Sequence, residues 1–336
     1  MKIEFHYYIT YLIAARAGIR GDDLRILAHA SQLTDDNDIV YRIKDSGKII
    51  YKNQISQTMQ LIKSRAGRLE VYPLFHFIPG VPNTENAKRR DGKTHPFNTT
   101  PNSPNANRII DETLETGNFY EIGIAIHAYV DTWAHQNFAG CKNSFNKFSG
   151  FVDKLIPNIG HADAKTMPDQ PRLVWEDERL VNSTVNNKER FLEAAACLFE
   201  KLRKMADPEC SPKTLEADRS RLLADLSTAI GSNRIEVDPS IKRLGNYRKL
   251  AAMQEYGGTE IPDYNADQWF RHAVRKTVRR VGNRAHGRQK RIVTFNFKPD
   301  HEVSDWFRFQ EAVKAYAERS KTILCDTPEI AVEYNA

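Results

Sequence analysis

The chain has 336 residues, 40% hydrophobic and 27% charged, the composition of a folded protein with room for one large domain or two ordinary ones. No stretch approaches the length of uninterrupted apolar sequence that crosses a bilayer, and Met1-Lys2-Ile3-Glu4-Phe5-His6 lacks the apolar core and cleavage site of an export signal. This predicts a cytoplasmic, bacterial protein without stable membrane insertion. The net charge of +6 is concentrated: Arg271 to Arg291 holds nine Lys or Arg and no Asp or Glu.

Residues 4–17, rich in Ile, Leu, Ala and Tyr, predict a first helix that Gly18 ends. Asp22 or Asp23 caps a second, running to about Leu33. Ile39 to Ile43 and Lys48 to Tyr51 flank Asp45-Ser46-Gly47 and predict a β-hairpin. Residues 54–68 fit either a helix or an irregular excursion. Residues 79–107 hold five of the fifteen prolines and predict a long polar loop, of the kind that forms lids and binding loops. A helix starts near Asn105 or Asn107. Another, from Tyr120 to Phe138, is apolar on most sides and therefore buried. Past Gly160 an irregular stretch holds Pro168, Pro171 and Trp175. Helices are predicted over 187–206, 212–230, 240–255, 265–281 and 303–322, with strand-like alternation at 291–297. The expected fold class is mainly α, a helical core with a small β-hairpin. A catalytic part, 1–184, would carry a helical and partly basic C-terminal part, 185–336.

His127, Asp131 and His135 stand at i, i+4 and i+8 on the apolar helix. Steps of four residues keep them on one stripe. Two imidazoles and a carboxylate on a buried face are costly unless paired or metal-bound, and divalent metals take such ligands. A set of buried, hydrogen-bonded polar residues is the blander reading. Cys141, Cys197, Cys210 and Cys325 are scattered without a CxxC pair, so imidazoles and carboxylates would have to supply any metal site. Seven of the ten histidines lie in the first half. His6 lies on the first helix, and His76 in the apolar run Leu74-Phe75-His76-Phe77-Ile78. His161 precedes Asp163 by two residues, an arrangement that suits a ligand and its orienting partner, or two ligands. Asp35 and Asp36 end the second helix, where termination and turn formation would also explain them.

The ordered set over residues 1–170 resembles the zinc-dependent phospholipase C and fungal single-strand-specific nuclease superfamily, by way of an uncharacterised bacterial domain family. Ala30-Ser31 through Asp35-Asp36 looks like its Ala-Ser-x-x-Asp helix end with one extra residue. His76-Phe77-Ile78 looks like its His-Phe-Ile metal motif, and His127 to Asp131 like its HxxxD helix. His6, His135 and His161 would fill the remaining histidine positions. Three features depart from the pattern. His135 follows Asp131 by four residues where the family has six. Lys165 stands where an Asp or Glu would follow His161, so Asp163 or Asp169 would have to substitute. The family's secreted members use a processed N-terminal amine and a Trp as ligands, whereas this sequence starts at Met1.

The resemblance implies a helical, di- or trinuclear metal-dependent phosphoesterase. Zinc is the expected ion, with manganese, magnesium or iron as alternatives. Asp35 or Asp36 would be ligand or general base, and Asp131 a bridging ligand. Clustered divalent ions suit phosphoester hydrolysis, because they acidify a bound water and neutralise phosphoryl charge. Nucleic acid or a nucleotide is the preferred substrate, because Arg275, Lys276, Arg279, Arg280, Arg284 and Arg288 could neutralise phosphates. A solvated basic helix face explains that run equally well. Tyr8, Tyr129, Trp133 and Trp175 could stack on bases or belong to the core. Two alternatives stay open. One is a phospholipase C-like lipid hydrolase. The other is a nucleic-acid-binding or interaction protein with a structural metal site. A protein partner or a homo-oligomer is compatible with either.

Overall fold

The computed structural model describes all residues except 46–47, 59–68, 82–83, 149–159, 237–240, 282–289 and 336. It is mostly helical. The chain opens with a π-helical turn, Glu4–Ile9, that runs directly into α1 (Thr10–Ala17). Gly18 ends α1 at φ 109°, a conformation that costs glycine little. The helices that follow are α2 (Gly21–Asp36), α3 (Tyr72–Phe75), α4 (Pro104–Leu114) and α5 (Phe119–Ala134). Next come α6 (Asn187–Ala206), α7 (Pro212–Ile230), α8 (Ile241–Ala251), α9 (Gln268–Ala273), α10 (Asp305–Cys325) and α11 (Pro328–Asn335).

Side-chain caps set several starts. Ser103 accepts from Ala106 N at α4, Asn118 from Tyr120 N at α5, Ser211 from Thr214 N at α7 and Ser304 from Phe307 N at α10. Proline occupies the first turn of α4 and α7, where its missing N–H costs nothing.

Helix α5 is the centre of the molecule. Every residue from Tyr120 to Ala134 is buried, and α2, α3, α4, α6 and α10 pack around it. Its closest neighbour is α2. A Cβ on Gly123 would come within 2.5 Å of the Leu27 carbonyl and 2.7 Å of the Ala30 Cβ, so only glycine lets these two helices approach this far. The α2–α5 pair carries Asp35, His127 and Asp131, and its spacing fixes their separation.

Strands β1 (Arg42–Asp45) and β2 (Lys48–Lys52) pair antiparallel, as the hairpin pattern predicts. The turn residues Ser46 and Gly47 lie outside the described residues, as does most of the ambiguous 54–68 segment. Strands β3 (Val174–Glu176) and β4 (Thr184–Asn186) form a small separate ladder that the irregular stretch after Gly160 does not foretell. Strands β5 (Val274–Val281) and β6 (Lys290–Phe297) form an antiparallel ribbon, and β6 also pairs parallel with β1, giving the order β2-β1-β6-β5. This corrects the helix expected over 265–281. Helix α9 stops at Ala273 and the chain becomes extended. Val274 and Val278 sit four apart, a spacing that places residues on one face of a helix and of a strand alike. Strand β6 supplies the partner that decides between them.

One hydrophobic cluster runs from Met1 to Ile330 and draws on both parts of the chain. Tyr41, Tyr51, Phe270, Phe295, Phe297 and Trp306 pack where the sheet meets α9 and α10, mostly edge-to-face, with Tyr41 stacked on Phe270. Among the described residues no helix is long and apolar enough to cross a membrane.

Candidate metal centre

Seven of the sequence-nominated side chains converge at the base of α5: His6, Asp35, His76, His127, Asp131, His135 and His161. His6 comes from the π turn, Asp35 from the end of α2, and His76 from the residue that caps α3. His127 and Asp131 lie on α5 and His135 caps it, its N–H still bonded to the Asp131 carbonyl. Asp131, 1% exposed, is the hub. One carboxylate oxygen lies 3.2 Å from His6 Nε2. The other lies 3.3 Å from His76 Nδ1, 3.3 Å from His127 Nε2 and 3.5 Å from His135 Nδ1. Asp35 Oδ1 lies 3.6 Å from His127 Nε2 and 3.8 Å from His76 Nδ1. Asp169 joins from the segment after His161, with Oδ1 3.7 Å from His135 Nε2 and Oδ2 3.7 Å from His161 Nε2. The Met1 amine is ion-paired to Asp131 and lies 3.5 Å from Asp169.

The second ring nitrogens fix what the first ones present. His127 Nδ1 lies 2.8 Å from the Ser31 carbonyl and His76 Nε2 lies 2.9 Å from the Ser56 carbonyl. A carbonyl can only accept, so both of these nitrogens carry hydrogen. In the neutral rings, His127 Nε2 and His76 Nδ1 are then bare lone pairs, and they face each other at 3.1 Å beside the Asp131 and Asp35 carboxylates. The same pattern recurs at the other end. His135 Nδ1 donates to the His76 carbonyl at 2.7 Å and His161 Nδ1 to the Lys165 carbonyl at 2.8 Å, which turns both Nε2 lone pairs toward Asp169. Among the described residues, Asp169 Oδ1 and both ring nitrogens of His6 are buried without a hydrogen-bond partner. Lone pairs gathered this way repel one another unless a cation lies among them, and carbonyl-oriented histidines are the usual support of metal ligands.

The electrostatics agree. Burial opposes the ionised form of Asp131, but His135, the Met1 amine, His6 and His127 outweigh it and hold the carboxyl well below its usual range. Asp169 is held far below its usual value against burial by His161 and the Met1 amine, and Asp35 is lowered against burial by His127, His6 and His76. Burial, with His127 and the amine adding to it, pushes His6 down to about 4; burial also lowers His161. Ionised carboxylates and neutral imidazoles are the forms that bind metal. His127 is the exception, raised against burial by Asp35 and Asp131. A proton on that nitrogen is the smallest cation that relieves the crowding. The Met1 amine is raised to about 10, Asp131, Asp169 and Asp35 outweighing its burial.

Among the described residues the donor atoms fall into three groups, each within 4.8 Å: His6 with His127 and Asp131, Asp35 with His76 and His127, and His135 with His161 and Asp169. These buried His/Asp clusters can hold metal ions. The first two groups share His127, whose single free nitrogen serves one ion at a time.

Two nominated residues stand apart. Asp36 accepts from the Tyr264 hydroxyl at 2.7 Å and from Gln32 at 3.1 Å, because one residue further along a helix points about 100° away from Asp35. Asp163 faces the backbone N–H of Phe148 at 3.4 Å and belongs to none of the three groups; Asp169 takes the place proposed for it. The four aromatics offered for base stacking belong to the core. Tyr8, Tyr129, Trp133 and Trp175 are all buried, and the Trp175 indole donates to Asn187. Of the basic residues, Arg275, Lys276, Arg279 and Arg280 lie exposed on β5 rather than on a helix face, while Arg284 and Arg288 lie outside the described residues. The Met1 amine reaches the hub, although the start at Met1 stood as a departure from the resembled family's amine ligand. A cavity of about 560 Å³ lined by Leu69, His95, Phe97 and Cys141 contains none of these ligands, so donor chemistry rather than cavity size locates the site.

The chain belongs to a family of unknown function (DUF6765), whose model matches residues 1–324 and so takes in both the His/Asp cluster and the ribbon. No curated protein and no solved structure matches it.

Proposed function

We propose that this chain is a metal-dependent phosphoesterase, most simply a phosphodiesterase acting on nucleic acid or nucleotides, with a di- or trinuclear His/Asp centre. One observation carries the reading: imidazole and carboxylate lone pairs converge, with four of the imidazoles turned inward by backbone carbonyls. The order of these ligands along the chain, and the resemblance to the zinc-dependent phospholipase C and nuclease superfamily, support hydrolysis of a phosphoester. Zinc suits three-to-four-coordinate nitrogen and oxygen sets of this kind.

Divalent cations held here would acidify a bound water and neutralise charge on a phosphoryl oxygen. The chain's own groups divide the remaining work. Asp131, His127 and His6 are fully enclosed and serve to bind. Asp35 is 25% exposed, ionised, and supported by Gln57 at 3.4 Å, which makes it the carboxylate best placed to take a proton from water at the mouth. His161 is 20% exposed and marks the other accessible edge. Substrate would enter between them.

The test is hydrolysis of bis(p-nitrophenyl) phosphate and of labelled oligonucleotides by the purified protein. Turnover should disappear on chelation and return with added Zn or Mn while the circular dichroism spectrum stays unchanged. Phosphoester turnover indifferent to chelator, or a chain that unfolds on chelation and never hydrolyses any ester, would leave the metal a structural role and remove the enzyme reading.

A further inference from the structure

We infer that the β5–β6 ribbon is an arm that docks in the major groove of duplex DNA. The proposal names a substrate class for the phosphodiesterase reading and rests on it only for what happens after binding; the arm itself lies on separate elements from the His/Asp cluster.

The two strands are eight residues each, about 27 Å when extended. The root of the ribbon is anchored. Val274 is buried, and Phe295 and Phe297 pack on Tyr41, Tyr51 and Trp306. Among the described residues, strand β1 pairs with the edge of β6 at Phe295 and Asn296. Beyond that point no described element packs on either face. Val278 and Val293, paired across the strands, are 51% and 45% exposed, and Ile292 on the opposite face is 42% exposed.

The charges lie on both faces. Strand alternation and the Arg280–Arg291 register put Lys276, Arg280 and Arg291 on one face and Arg275 and Arg279 on the other. Some exposed cations elsewhere pair with acids, as Arg25 does with Asp22 and Arg108 with Glu112, while others, such as Lys2, Lys52 and Lys213, stand singly among the described residues. On the ribbon, none of these five has an acidic partner among the described residues. Arg280 and Arg291 stand directly opposite each other, an arrangement that is unfavourable in isolation and that a polyanion offsets.

Three kinds of anionic partner need comparison. A flat anionic membrane would select cations on one face, not two. An A-form RNA helix presents a major groove too narrow and deep for a ribbon with its side chains. The B-form major groove, about 12 Å wide, admits a two-stranded ribbon and places a phosphate wall on each side of it. With the Val278–Val293 face turned to the base edges, where these valines offer apolar contact to groups such as the thymine methyl, the long Arg and Lys side chains of both faces reach sideways to phosphates on the two walls.

The experiment is fluorescence anisotropy of the full chain with a phosphorothioate-backbone duplex of about 24 base pairs. Five cation–phosphate contacts give a log–log salt slope of about −4.5, or affinity falling about 500-fold between 50 and 200 mM salt. Replacing three cations together (Arg275→Ser, Arg279→Ser, Arg280→Ser) should cut that fall to about 10-fold. The charge-preserving set Arg275→Lys, Arg279→Lys, Arg280→Lys should keep the steep dependence and guards against a folding artefact. Equal or tighter binding of the single strand, binding of phosphatidylglycerol vesicles in preference to duplex, or a salt slope unmoved by the serine set overturns the arm. These outcomes leave the hydrolysis of bis(p-nitrophenyl) phosphate untouched. Loss of that hydrolysis, in turn, leaves the duplex affinity where it was.

Discussion

Gly123→Ala tests whether the close α2–α5 approach sets the site. In an open helix interior alanine is favoured over glycine by about 1 kcal/mol, so the naive expectation is a more stable protein. The structure reverses the sign. The added Cβ would meet the Leu27 carbonyl at 2.5 Å and the Ala30 Cβ at 2.7 Å, with the Ser31 N at 3.1 Å. Two of these are backbone atoms that can move only if α2 moves. Overpacking of that kind costs about 1–3 kcal/mol, toward the upper end where backbone must shift. The net expectation is a loss of about 1–2 kcal/mol, a drop of a few degrees in the thermal midpoint. Metal retention should weaken in parallel, because Ser31, whose carbonyl holds His127, is one of the residues pushed. Gly245→Ala is the control. It lies on α8, nothing lies within 4 Å of its Cβ position, and it should stabilise by about 0.5–1 kcal/mol. A Gly123→Ala variant that gains stability like the control refutes the packing argument.

Arg243→Met should destabilise by about 3–5 kcal/mol in chemical denaturation, because it strands Glu4, which Arg243 holds at 2.6 and 2.9 Å in full burial at the start of the π turn carrying His6. Adding Glu4→Gln, which keeps an acceptor for Tyr247, should recover at least half of that loss; no recovery contradicts the buried-pair account. His29 stacks on Trp269 at 4.0 Å, and burial together with the nearby Arg25 charge pushes its pKa down to about 4. The unfolded chain takes up that proton near pH 6.5 and the folded one does not, so stability falls as pH drops from about 6.5 to 4, by up to about 3 kcal/mol. His29→Phe should flatten that part of the urea-midpoint profile, and an unchanged slope assigns the loss to other groups. Asp131→Asn should lose bound metal and hydrolysis together, measured by elemental analysis and diester turnover. A variant that keeps its metal while losing turnover moves Asp131 from ligand to another role.

The helices were readable where local signals were strong. Ser211 before Pro212, Ser103 before Pro104 and the unbroken apolar face of α5 each announce an element. Of the basic ribbon, β6 shows its strand alternation over 291–297, whereas β5 fits the helix expected over 265–281 because its valines satisfy both periods and only pairing with β6 decides between them. The His/Asp cluster was largely legible, since four-residue spacing on a buried helix leaves His127 and Asp131 few alternatives. Asp36 and Asp163 could not be separated from Asp35 and Asp169 by sequence, because which of two neighbouring carboxylates turns inward depends on helix phase and on a loop path that only the fold supplies. The Met1 amine carries no side-chain signal at all.

The most direct test of the central claim is elemental analysis of the full chain, purified without affinity-tag metal and passed through gel filtration. Two or three divalent ions per chain, lost on chelation and diminished in His127→Ala, are what the converging lone pairs predict. A folded, monodisperse chain that carries less than one ion, and takes up none from excess zinc or manganese, contradicts it.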